Sequence, residues 1–194
     1  QEGATLNTLG LVYGGMGETE KAVDYFERSL AIARELKDKS RETLALNNLG
    51  LAYSYLSKYQ KAIAYLEQSL PIVRELKDRK SEATAYSNLG TNYAKLGQFE
   101  KALVSHEGSL TIYRETKDRI SEGNELQNLG NVYKLVGRDD KAVEYYGQSL
   151  AVFREVKYRV GEGDVLNNLS DSYSRLNRDT EAITAQEQAL AIYR

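Results

Sequence analysis

The sequence predicts an all-α solenoid of five helix-turn-helix repeats, on three observations: a strict 40-residue period, helical apolar spacing within it, and almost no strand or breaker signals. Leu9, Leu49, Leu89, Leu129 and Leu169 recur every 40 residues, and Tyr13, Tyr53, Tyr93, Tyr133 and Tyr173 follow each by four. Ala22, Ala62, Ala102, Ala142 and Ala182 keep the same step, as do Leu30, Leu70, Leu110, Leu150 and Leu190. A period of this length marks a stacked array in which each repeat buries its apolar face against its neighbours. With one proline and no β-branched alternation, strands are disfavoured.

The period divides one domain, 1–194, into units 1–40, 41–80, 81–120, 121–160 and 161–194. In the first, Gly14 and Gly15 fall within helix A; glycine inside a helix costs about 1 kcal/mol relative to alanine, so this unit is expected to fray. The second shows the pattern best. Leu46, Leu49, Gly50 and Tyr53 lie at i, i+3, i+4 and i+7, the stripe of helix A, and Ala62, Ile63, Leu66, Leu70 and Ile72 or Val73 form that of helix B. Between them stands Ser57, where other units have Gly17, Gly97 and Gly137, residues suited to a left-handed helix end. Pro71 replaces Ala31, Thr111 and Ala151 and is expected to bend helix B or break its ladder.

In the third unit His106, the only histidine, occupies the column of Phe26, Leu66, Tyr146 and Gln186. It is expected between helices as a packing residue, since no second histidine and no cysteine exists to complete a metal or catalytic site. Helices B close on Arg34/Glu35, Arg74/Glu75, Arg114/Glu115 and Arg154/Glu155, expected to solvate the helix or bridge to a neighbouring unit at about 0–1 kcal/mol each. The fifth unit stops at Arg194 inside a helical pattern, and the chain opens without Met, so it is expected to be part of a longer protein.

Composition narrows the function. A net charge of −2, from 26 basic and 28 acidic residues, supplies no field to recruit nucleic acid or a membrane surface. The absence of cysteine removes disulfides and thiolate chemistry and suits a reducing cytoplasm. No phosphate-binding glycine motif is present, and no carboxylate pair stands out, so neither cofactor, metal nor catalytic residues are expected.

The spacing Leu49, Gly50, Tyr53, Ala62, repeated along the whole chain, resembles the tetratricopeptide signature L-G-x-x-Y followed by A. The usual unit has about 34 residues, so helix B is lengthened here, and Arg34, Arg74, Arg114, Arg154 and Arg194 stand at the column of the usual terminal proline. Tails such as "RELKDKSRE" are similar to those of the longer repeats in Pins/LGN adaptors, kinesin light chains and bacterial signalling proteins. The resemblance implies a right-handed superhelix whose helices A line a concave groove that receives a peptide or helix of a partner.

With Leu49 set at 0°, the far side of helix A carries Leu44, Asn47, Leu51 and Ser54, and this row is expected to face the groove. Its members include Asn7 and Leu11 in the first unit, Ser87 and Thr91 in the third, Gln127, Asn131 and Lys134 in the fourth, and Asn167 and Asp171, with Arg175 beside them, in the fifth. Amides and hydroxyls donate and accept, which suits the backbone of an extended peptide. Asn48, Asn88, Asn128 and Asn168 lie beside the row and either hold the stack together or meet the ligand. The row grades from apolar Leu11, Leu44 and Leu51 to polar Asn131, Lys134, Asp171 and Arg175, matching a ligand with an apolar and a mixed-charge segment. The tyrosine column is expected in the core.

The leading expectation is therefore a scaffold or adaptor binding a protein or peptide. The alternatives are a self-association module, using the apolar stripe Ala182, Ile183, Ala189, Leu190 and Ile192, and a regulatory repeat region of a larger signalling enzyme.

Overall fold

The computed structural model describes residues 1–194 as ten α-helices: α1 (Glu2–Gly15), α2 (Thr19–Glu35), α3 (Lys39–Tyr55), α4 (Tyr59–Glu75), α5 (Arg79–Lys95), α6 (Phe99–Thr116), α7 (Arg119–Leu135), α8 (Asp139–Glu155), α9 (Arg159–Arg175) and α10 (Asp179–Tyr193). The chain forms two compact units, Gln1–Ala102 and Leu103–Arg194. In the first, α1 packs on α2, α2 on α3, α3 on α4 and α4 on α5; in the second, α7 packs on α8, α8 on α9 and α9 on α10. Odd-numbered helices are the helices A of the sequence pattern and even-numbered ones the helices B.

Both turn types end a helix the same way. At Gly17, Ser57, Gly97, Gly137 and Asn177 the backbone takes a positive φ, as the glycine column implied. A second set, Lys37, Lys77, Lys117 and Lys157, does so between repeats without glycine. There the Lys37 N–H donates to Arg34 O at 3.1 Å and the Asp38 N–H to Ala33 O at 2.8 Å, closing the last carbonyls of α2 in a Schellman motif. The Asp38 carboxylate then accepts from Arg41 N–H and caps α3, and Asp78 and Asp118 do the same for α5 and α7 through Ser81 and Ser121. The K-D dipeptide thus stops one helix and starts the next.

The core of the first unit gathers Phe26, Leu30, Leu46, Leu49 and Tyr53, with Ile63, Leu66 and Leu89 behind them. That of the second gathers Leu110, Leu126 and Leu129, then Tyr146, Phe153, Leu166 and Leu169. Glycine on helix A sets how closely helix B approaches. A Cβ on Gly10, Gly50 or Gly130 would lie 2.4, 2.6 or 2.5 Å from Phe26, Leu66 or Tyr146 respectively. Where Ser170 replaces this glycine, the residue in the facing column is exposed Gln186, and the serine hydroxyl donates to Ala182 O.

Several expectations need correction. The Leu and Tyr columns are not uniformly core: Leu9 and Leu190 are exposed, and Tyr13, Tyr93, Tyr133 and Tyr173 are only half-buried. These rings cement their own hairpin. Tyr13, Tyr53 and Tyr133 stack on Tyr25, Tyr65 and Tyr145 at 5.2–5.4 Å, under the ammonium groups of Lys21, Lys61 and Lys141. Pro71 does not break α4, which has the same 17 residues as α2 and α8. The two glycines do not prevent α1 from running to Gly15.

The arginines closing helices B pair with the next helix A. Arg34, Arg74, Arg114 and Arg154 reach Glu42, Glu82, Glu122 and Glu162 at 2.8–3.0 Å. Glu82, Glu122 and Glu162 are buried, and each is held from the other side by Arg79, Arg119 or Arg159. A desolvated carboxylate between two guanidinium groups locks the joint between repeats, a stronger arrangement than a solvated pair. His106 is buried as expected, but as a polar partner: its Nδ1 lies 2.8 Å from Oε2 of buried Glu125.

Candidate partner-binding face

In the first unit α1, α3 and α5 lie side by side. Their shared face carries the row expected to meet a ligand. Leu44 and Leu51 are 49% and 41% exposed although large and apolar, and Leu11 is exposed with them. Asn7 is buried, and its Oδ1 accepts from Asn48 Nδ2 at 2.8 Å, so these two amides join α1 to α3 and leave only the half-buried Asn48 in part accessible. Asn47 is half-buried, with its Oδ1 unpaired. On α5, Ser87 and Asn88 are half-buried, and Thr91 is exposed with its hydroxyl turned back to Ser87 O. Beneath Leu11 and Leu51 lies an open cavity of about 510 Å³, floored by Gly10, Ala22 and Phe26.

In the second unit α7 and α9 are neighbours, and several polar residues of the row are bonded in separate small groups. Lys134 Nζ lies 3.2 Å from Asp171 and donates to Asn168 Oδ1 at 3.4 Å. Arg175 flanks Asp171 at 3.7 Å and Asp139 at 4.0 Å. The Tyr146 hydroxyl rises from the core to donate to Asn131 Oδ1 at 2.7 Å. Burial, then the negative charges of Asp171 and Asp139, hold this phenol far above its ordinary range, so it stays a donor. Asn167 is exposed and donates weakly to the Tyr193 hydroxyl at 3.5 Å, which itself donates to Asp164 at 2.7 Å. Gln127 is half-buried, and the half-buried Asn128 turns its amide to the Glu125 carboxylate.

The structure therefore brings together Asn131, Lys134, Asp171 and Arg175 in one unit and Leu11, Leu44 and Leu51 in the other, and removes Asn7, Asn48 and Asn128 to internal bonds. Sequence reading missed Tyr146, Asp139 and Tyr193, which belong to helices B and reach the face across their hairpins. It also missed the cavity. The signal for the latter was available: Gly15 stands where the other repeats have Tyr55, Lys95, Leu135 and Arg175.

The tetratricopeptide repeat family description matches residues 1–75, 41–115, 81–155 and 121–194, overlapping windows that tile the chain. The chain belongs to the tetratricopeptide repeat family. Tetratricopeptide repeats are typically protein-interaction modules and generally non-catalytic scaffolds. Among solved structures, the fold is similar to BtubC (BKLC) from P. vanneervenii, with a TM-score of 0.87 at 21% identity over 97% of this chain and 78% of that one. It is similar to a putative kinesin light chain of Podosopora anserina with nearly identical TPR-like repeats, at TM-score 0.82 and 22% identity over 98% and 94% of the two chains. A Rap protein complexed with Competence and Sporulation Factor shares the fold at TM-score 0.82 and 16% identity, over 98% of this chain and 54% of that one. At these identities the likeness establishes the fold of the tetratricopeptide array and nothing finer. No curated protein matches by sequence. No helix is long and apolar enough to cross a membrane.

Proposed function

We propose that this chain is a scaffold or adaptor that holds a segment of a partner protein against the exposed face of its helices A. The observation that carries this reading is the division of labour on those helices. Leu46, Leu49 and Gly50 and their counterparts are nearly constant between repeats and mostly buried, while the columns of exposed Leu44 and of exposed Leu51, Thr91 and Asp171 change along the chain. A surface that varies over a constant core encodes recognition, because changing it leaves the stacking intact. A Rap protein of which this chain's fold matches 54% is complexed with Competence and Sporulation Factor, which supports a binding role for such arrays. The apolar patch of the first unit suits an apolar stretch of a partner and the charged network of the second a polar one, in a reducing cytoplasmic setting.

The test is selection of displayed random dodecapeptides on the immobilised chain and on Asn47→Ala/Asn131→Ala/Asn167→Ala, with helicity checked by circular dichroism. Enriched peptides that the triple variant no longer holds support the reading. The absence of any enrichment, or binding indifferent to all three changes, sinks it.

A second reading, self-association, draws on one observation: α10 keeps Ile183 and Leu190 60% and 49% exposed while Ala182 and Ala189 are buried. Light scattering over a concentration series tests it, and a monomer at every concentration rules it out.

A further inference from the structure

The cavity between α1 and α3 has a feature that folding does not explain. Gly14 and Gly15 line it, in the last turn of α1. Neither has a positive φ, unlike Gly17 two residues on, so the backbone does not require glycine. Nor does packing: a Cβ on Gly15 would meet nothing within 4 Å, and one on Gly14 only the Ala22 Cβ at 3.8 Å, an ordinary contact. The other repeats place Ser54, Ala94, Lys134 and Ser174 in the first column and Tyr55, Lys95, Leu135 and Arg175 in the second. Helix propensity favours each of these over glycine. The two glycines leave without side chains part of the lining of a cavity of about 510 Å³.

Around that opening the protein holds apolar surface in water. Leu11 is 52% exposed, Leu51 41% and Tyr55 74%, and all three line the cavity. Covering such a patch is favourable in proportion to the area removed from water. None of the lining residues is charged, and the amide hydrogens of Asn48 are directed in part to Asn7. A lysine, arginine or carboxylate entering it would shed water without gaining a counter-charge, whereas an aromatic or long aliphatic side chain would not. The volume lies within the usual range of about 300–1,000 Å³ for ligand sites.

We infer that this cavity is the anchor pocket for one bulky, uncharged side chain, aromatic or long aliphatic, of the bound partner segment, held open by Gly14 and Gly15. The inference rests on the proposed partner-binding role of the face and adds what the N-terminal end of that face selects.

The experiment takes peptides selected on the native chain from a library of random dodecapeptides and measures their affinity for the native protein, for Gly15→Ala and for Gly15→Leu. The bulkier change places a side chain in the cavity's lining without removing any contact, and thermal melts are expected to show both variants at least as stable as the parent. The expected result is a recurrent aromatic or large aliphatic residue in the selected peptides, with affinity falling at least tenfold in Gly15→Leu and less in Gly15→Ala. Replacing that peptide residue by alanine is expected to weaken binding to the native chain and to have little further effect on Gly15→Leu. Selected peptides that bind Gly15→Leu as tightly as the native protein would overturn the pocket while leaving the scaffold reading intact. A charged residue at the sensitive position would overturn it too, and so would a native dimer that Gly15→Leu dissociates, since the occupant would then be a second copy. Failure to select any peptide would overturn both readings together.

Discussion

Replacing His106 and Glu125 singly and together isolates a place where this core exchanges an apolar pair of its repeat for a polar one. The two columns hold Phe26 with Ala45, Leu66 with Ala85 and Tyr146 with Val165, apolar pairs 19 residues apart, and His106 with Glu125 stands in their place. Both side chains are almost fully buried, at 2% and 3% exposure, and 2.8 Å apart, with Asn128 as a further donor to the carboxylate at 3.3 Å. His106→Phe leaves a buried carboxylate with its main partner gone, a loss of about 3–5 kcal/mol. Glu125→Val leaves an imidazole nitrogen short of one bond, about 1–3 kcal/mol. The double variant restores the apolar pair found in the other repeats, and such exchanges are neutral or stabilising by about 1–4 kcal/mol. The expectation is therefore a double variant at least as stable as the parent, and a coupling of at least about 4 kcal/mol by the sum of the single losses. Urea unfolding followed by far-ultraviolet circular dichroism measures it, with an unchanged denaturant slope showing that the same surface is exposed in each variant. Additivity within about 0.5 kcal/mol would show that the two groups do not depend on each other and would refute the reasoning.

Three further outcomes follow from the same structure. Glu122→Gln, which loosens a buried carboxylate held by Arg114 and Arg119, is expected to cost about 1–3 kcal/mol, against less than about 0.5 for Glu35→Gln on the exposed end of α2; equal effects in denaturant melts would count against the clamp. Gly130→Ala drives a Cβ to 2.5 Å from the Tyr146 ring and is expected to cost about 1–3 kcal/mol, whereas Gly15→Ala is neutral or stabilising by up to about 1; a reversed order of melting temperatures would contradict the packing described. Burial and the bond to Glu67 push the Tyr93 phenol up to about 12, above the usual value of about 10, so its contribution is present below pH ~10 and lost as pH rises from ~10 to ~12. Tyr93→Phe should accordingly make unfolding less sensitive to alkali across that window, and an unchanged pH profile would show that the phenol plays no such part.

Much of the fold could be read in advance because a repeat reports its own pattern several times. Apolar residues at helical spacing recur in all five units and a turn glycine in three of them, so helix number, the inner turns and the stripe of Leu46, Leu49 and Gly50 needed no tertiary information. The inter-repeat lysines with positive φ were harder to see, since lysine carries no preference for that conformation and only the Schellman hydrogen bonds around Lys37 and its counterparts explain it.

The candidate face was legible as a row of positions but not as a set of partners. Angle around a helix told which side Asn7, Asn48 and Asn131 occupy, and could not tell that Asn7 and Asn48 bond each other or that Tyr146 reaches Asn131 from the opposite helix of its hairpin. Angles are properties of one helix. A hydrogen bond, a buried carboxylate between two arginines, or a cavity needs the separation of two helices, which is set by side chains far apart in the chain. So the order of residues determined an all-α tetratricopeptide array and, in its middle repeats, most of the apolar stripe each helix buries. Packing alone decided that Glu82, Glu122 and Glu162 are buried locks, that His106 is half of a polar pair, and that Gly14 and Gly15 border an opening.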